Sequence, residues 1–127
     1  MEYISIILMI IAGFFNACMD ILKVRYDKSI FRFWKYQNWL DPSKSWVNKW
    51  KNGDPSQGER FFGSSTFFVS LTDAWHLAKH FMLTFIMLSV VFYQPIINWW
   101  MDFIILYVSF TVTFEVFFSK ILIRIQK

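Results

Sequence analysis

Residues 81–118 read FMLTFIMLSVVFYQPIINWWMDFIILYVSFTVTFEVFF. Two apolar runs stand on either side of Gln94-Pro95, and taken back to Leu77 they cover residues 77–93 and 97–118. A helix that crosses a bilayer takes about 17 to 25 mostly apolar residues, so each run is long enough. Pro95 has no N–H and cannot continue the first helix. Gln94 and Asn98 lie beside Tyr93, Trp99 and Trp100, aromatic types that favour the membrane–water interface because one end of the ring is apolar and the other polar. The stretch therefore predicts two spanning helices joined by a tight interfacial hairpin.

Working outward, residues 3–22 form a third apolar run. A secretory signal is excluded, since no positive segment precedes the run and no small-x-small cleavage site follows it. The 127 residues are 56% hydrophobic and 22% aromatic with only 17% charged, against about a quarter charged in soluble domains. That balance excludes disordered and low-complexity chains, and the single Cys18 excludes an internal disulfide framework. Cys18 reads as a small core hydrophobe. No internal repeat is present. The expected fold is a single all-α membrane domain: three transmembrane helices, with short amphipathic interfacial helices in the basic loop of residues 23–70.

Loop charge sets the expected orientation. Nine of the thirteen Lys and Arg lie between Lys23 and Arg60, and Lys120, Arg124 and Lys127 follow the third run. The hairpin has none, and only Glu2 precedes the first span. Basic loops stay in the cytoplasm, so the loop and the C-terminus are expected inside and the N-terminus and hairpin outside, as in a bacterial inner membrane. Beside spans, the net charge of +4 serves topology and attraction to anionic headgroups, not nucleic acid.

In the loop, Trp34, Trp39, Trp46 and Trp50 alternate with Lys35, Lys44, Lys49 and Lys51, the pattern of helices lying in the headgroup plane. Asp41-Pro42 predicts a helix start that ends near Asn52-Gly53, and Ser29 is the expected cap of an earlier short helix. The plain reading is that these aromatics seat the loop on the membrane; the sharper one is a lid or headgroup surface. Residues 52–58 are turn-forming. After them, Lys51, Arg60, Ser64 and Ser65 within Arg60-Phe-Phe-Gly-Ser-Ser-Thr66 are candidates for holding a phosphate through charge and free backbone N–H groups. No Lys follows the glycines, so this is no Walker loop, and the Pro-Ser-Gly-His motif of acid-phosphatase-type lipid phosphatases is missing. The plainer alternative makes Ser64, Ser65 or Thr66 the cap of a helix running on through His76.

Ionisable groups at span ends are costly and mark candidate sites. Asp73, His76 and His80, at i, i+3 and i+7, share a helical face and suit a divalent transition metal, zinc or iron. Asp20 in the first span and Glu115 in the third reach the same end, and either would complete the ligand shell or act as general base. The alternative makes all five structural: Asp73 favouring a helix N-terminus, Glu115 pairing with Lys79 or Lys120, and Asp20 with Lys23 or Arg25. Asn98 and Asp102 lie at the other end of the third span, with Asp102 about 140° from Glu115, and read as an outer-interface or subunit contact. Burying Asp20 and Glu115 among only three spans favours a homo-oligomer or a larger membrane complex. Two functions stand: a metal-dependent or acid–base enzyme acting on a lipid or lipid phosphate, and a non-enzymatic oligomeric subunit, pore or accessory protein.

Met19-Asp20, Ser29-Ile-Phe31, Trp46-Val-Asn-Lys-Trp-Lys-Asn-Gly-Asp54, Arg60-Phe-Phe-Gly-Ser-Ser-Thr66 and Leu71-Thr-Asp-Ala-Trp-His76 together resemble a family of small integral membrane proteins of Bacteroidetes-type bacteria and related phages. The resemblance spans roughly residues 14–81. It implies a shared fold and carries neither an activity nor a site residue.

Overall fold

The three apolar runs form the three long helices of the protein: α1 (Ile4–Val24), α4 (Ala74–Val91) and α5 (Trp99–Val116), the last continued by a π-helical turn over Phe117–Ile121. This is a computed structural model describing residues 2–124, so the predicted charge at Lys127 lies outside the described residues. All three helices are long and apolar enough to cross a membrane, the architecture of a small polytopic membrane protein. Two four-residue helices, α2 (Gln37–Leu40) and α3 (Pro42–Ser45), lie between the first two spans with several 3₁₀ turns. No strand forms among the described residues, only isolated bridges.

Helix α1 is the hub. It packs against both α4 and α5, which meet each other little beyond their own turn. Residue size explains the order: Ala12 and Ala17 are fully buried, and Gly13 lets the backbone of α5 approach α1. Association in a bilayer relies on such close packing, because lipid tails are as apolar as leucine and no hydrophobic gain remains. Phe15 stacks on Phe85 of α4 at 5.7 Å between ring centres, and Phe14 meets Phe117 edge-on at 4.9 Å. Towards the hairpin, Ser5 and Ser89 are both buried and bond reciprocally: each hydroxyl donates to the other's carbonyl, at 3.0 and 3.1 Å.

The hairpin closes on Asp102. Its carboxylate accepts from the Tyr93 hydroxyl at 2.6 Å and from the N–H groups of Ile96 and Ile97 at 2.9 and 3.0 Å. Asn98 caps α5 through Met101 N–H at 3.0 Å. These two residues therefore build the turn itself, where charge position alone suggested an outer contact surface. A carboxylate suits the place because Pro95 ends the helix and leaves the next two backbone donors without helical acceptors.

The other end gathers the basic segments. After α1 the chain turns so that Ile30 N–H donates to Leu122 O and Arg124 N–H to Lys28 O, both at 2.9 Å. Arg25 lies over the Phe118 ring and Arg124 over Phe33, each at 4.5 Å. The Lys23–Arg60 loop and the chain after α5 are thus at one end of the bundle, with the hairpin at the opposite end.

Two boundaries differ from expectation. The helix starting at Pro42 passes into a 3₁₀ turn, Trp46–Lys49, and breaks at Trp50 in extended backbone, short of Asn52. The helix carrying His76 starts at Ala74, not near Ser65 or Thr66. Asp73 caps it by accepting His76 N–H at 2.8 Å, and residues 61–72 form turns. Gly63, at φ +77°, adopts a left-handed conformation that breaks any helix through it. Ser29 precedes the Ile30–Phe33 turn as expected, but its hydroxyl bonds backwards to Tyr26 O at 2.7 Å.

Candidate functional site

The site is set by the first turn of α4. Asp73 is 3% exposed and uses both carboxylate oxygens: Oδ1 accepts His76 N–H, and Oδ2 lies 2.7 Å from His76 Nδ1. One residue thus caps the helix and fixes the imidazole. With Asp73 engaged at Nδ1, Nε2 is the ring nitrogen left for another partner. Thr72 donates to the same Oδ2 at 3.3 Å.

His76 and Asp73 line a pocket of about 240 Å³ with Lys23, Lys49, Trp46 and Trp75 among its other walls. Each wall has a local cause. Lys23 is in the last turn of α1, where a cation favours the helix C-terminus. Trp46 and Lys49 come from the turn that follows α3, which Asp41 starts by accepting Ser43 N–H at 3.0 Å. Asn48 fastens that turn to α2 and to the residue before the α4 cap, donating to Asn38 O at 2.8 Å and Thr72 O at 2.9 Å. The Trp75 ring meets His76 edge-on at 4.7 Å, with Lys23 Nζ 5.9 Å and Lys79 Nζ 5.4 Å from the indole. Trp75 Nε1 is buried and has no hydrogen-bond partner among the described residues. Two lysines, the Asp73-held imidazole and two aromatic side chains thus line one pocket.

The other candidates lie elsewhere. His80 is exposed and lines a separate groove with Leu83, Thr84 and Met87. Asp20 is half-buried, and Glu115 is exposed and accepts from the Ser119 hydroxyl one turn on. Among the described residues the one charged pair within reach is Asp73 with His76, and neither Glu115 nor Asp20 forms its expected ion pair. Nor, among those residues, do three His, Cys, Asp or Glu side chains gather for one metal ion. The donors among the described residues therefore do not assemble a zinc or iron site.

The expected phosphate loop is occupied from within. Glu59 accepts Gly63 N–H at 3.0 Å, Ser65 N–H at 3.3 Å and the Ser65 hydroxyl, so the backbone donors read as an anion site already hold a carboxylate. Ser64 is buried and donates to Lys49 O at 2.7 Å. Arg60 N–H reaches Lys49 O at 2.9 Å and Lys51 N–H reaches Gly58 O at 3.0 Å, forming a small hairpin that steadies Lys49. The loop thus contributes to the pocket by holding Lys49 in place.

The Ser65 hydroxyl, then Gly63 N–H, hold the Glu59 carboxyl below its ordinary value of 4.5. A depressed folded value means the contact stabilises the turn above the unfolded pKa and is lost as pH falls through the folded one. Hydrogen exchange at the Gly63 and Ser65 amides, compared with intrinsic rates, should lose protection on acidification. Glu59→Ala should lose it at every pH; protection independent of both changes would refute this role.

Sequence reading named Asp73 and His76 but not Lys23, Lys49 or Trp75 as partners. The signal available was Asp41-Pro42, which starts the segment that carries Ser45, Trp46 and Lys49. Set against protein-family models, curated proteins and solved structures, the chain matches none.

Proposed function

We propose that this membrane protein binds the phosphate of a lipid headgroup at the cytoplasmic face of the bilayer, where His76 exchanges a proton with the bound head or a water beside it. The observation that carries this reading is the convergence of Lys23, Lys49 and the Asp73-held His76 on one pocket. The pocket lies at the end where both basic segments meet, which loop charge places in the cytoplasm. Lys23 and Lys49 neutralise the phosphate. Trp46 and Trp75 seat the pocket at headgroup depth, and Asp73 positions His76 so that Nε2 accepts the proton.

Native mass spectrometry of the protein released from phosphatidylcholine nanodiscs tests this, with phosphatidate and diacylglycerol as competing probes. Phosphatidate should be retained over diacylglycerol. Lys23→Ala and Lys49→Ala should each weaken its retention about fivefold, taking roughly 1 kcal/mol per cation near the surface. Equal retention of both lipids, or indifference to both substitutions, would refute the proposal.

A further inference from the structure

A second recess, of about 390 Å³, lies beneath the segment between α1 and α3. Its walls come from the ends of all three spans, among them Cys18, Ala78 and Phe117, and its roof from Phe31 and Leu40. The lining contains no charged, hydroxyl, amide or carboxyl side chain. Water needs two to four polar partners to settle in such a space, and an engineered apolar cavity of roughly 150 Å³ stays dry and takes up benzene. The volume falls within the range of about 300–1,000 Å³ typical of ligand sites.

The linings of the recess and the Lys23–Lys49 pocket share no residue but adjoin in the chain at two points. Leu22 lines the recess and Lys23 the pocket; Ala74 lines the recess and Trp75 the pocket. An apolar space beside a pair of lysines is complementary to one kind of molecule, an amphiphile with a hydrocarbon chain and an anionic head.

We infer that the recess takes the hydrocarbon chain of the lipid whose phosphate the Lys23–Lys49 pocket holds. The headgroup part rests on the function proposed above; the chain part does not. The substrate class is accordingly a single-chain or splayed-chain lipid phosphate, with one chain drawn beneath the roof instead of lying along the bilayer-facing surface of the helices.

The test uses full-length protein in phosphatidylcholine nanodiscs and two photoreactive probes: a monoacylglycerol with a diazirine in its chain, and the same molecule phosphorylated. Both should label Phe31 and Leu40, which lie outside the three spans, and the phosphorylated probe should label them more strongly. Ala78→Phe, which fills the recess, should lose that labelling while labelling persists at Phe103 and Val112, both exposed on α5. Ile121→Trp provides a second plug that does not depend on repacking the core, because Ile121 is 49% exposed at the rim. Labelling confined to Phe103 and Val112 in the native protein, or unaltered at Phe31 in both variants, would overturn the inference. Equal labelling of Phe31 and Leu40 by the two probes supports the chain site and counts against the phosphate pocket.

Discussion

Gly13→Ala should destabilise the protein although alanine is the better helix former. Intrinsic propensity alone favours alanine over glycine by about 1 kcal/mol. The packing term opposes it. A Cβ at residue 13 would stand 2.5 Å from Phe110 O and 3.1 Å from Thr113 Cβ, and the first of these is backbone that cannot rotate away. Helices α1 and α5 must therefore separate by several tenths of an ångström along a contact on which α5 depends heavily. Only 6% of the α5 spanning window is buried in the protein, against 33% for α1. Overpacking of this kind costs about 1–3 kcal/mol, so the clash outweighs propensity and the sign is decided by packing. Gly13→Leu should lose more and free α5 from the bundle. Thermal unfolding in detergent gives the comparison, with Ile10→Ala on the exposed face of α1 as a control near zero. Stabilisation by Gly13→Ala would show that α5 does not approach α1 at this point.

Asp102→Ala is expected to have the larger effect. The carboxylate is 1% exposed and gathers three donors, from Tyr93, Ile96 and Ile97. Its removal leaves all three without their acceptor. At about 1 kcal/mol for each ordinary hydrogen bond lost, the loss should reach about 3 kcal/mol. Tyr93→Phe removes one donor together with its need and should cost about 1 kcal/mol, as for an ordinary hydrogen bond. In a double-mutant cycle the two losses should not add, because the Tyr93 bond is counted in both. Chemical unfolding in mixed micelles measures the set. Additive losses, or an Asp102→Ala variant as stable as the native protein, would remove Asp102 from the hairpin.

The three spans were legible because membrane length and hydropathy act on local sequence, and the hairpin was legible because Pro95 cannot donate. Pairing was less so. Asp102 read as an outer-interface or subunit contact since charge and position do not reveal that residues 96 and 97 would lack acceptors. The helix through His76 read too long because Ser64 and Ser65 are good caps, and only the left-handed Gly63 with Glu59 seated on its loop shows why the chain turns there. Asp73 and His76 were found because i, i+3 spacing is a local property of a helix. Lys23 and Lys49 were not found as their partners, since these are 26 residues apart in sequence and meet only after Asn48 ties its turn to Thr72. His80, Asp20 and Glu115 share an end of the bundle with that pair, but reaching the same depth does not bring side chains together.

The most direct measurement is the ring ¹⁵N spectrum of His76 while dihexanoyl phosphatidate is added to the protein in micelles, with Asp73→Asn alongside. Asparagine can still cap α4 but no longer holds the proton on Nδ1 as a carboxylate does. In the native protein Nε2 should move on lipid addition while Nδ1 remains the protonated nitrogen facing Asp73; in Asp73→Asn this Nδ1 preference should be lost. A His76 ring that ignores phosphatidate, or responds no more than the His80 ring, would contradict a phosphate pocket built on Asp73 and His76.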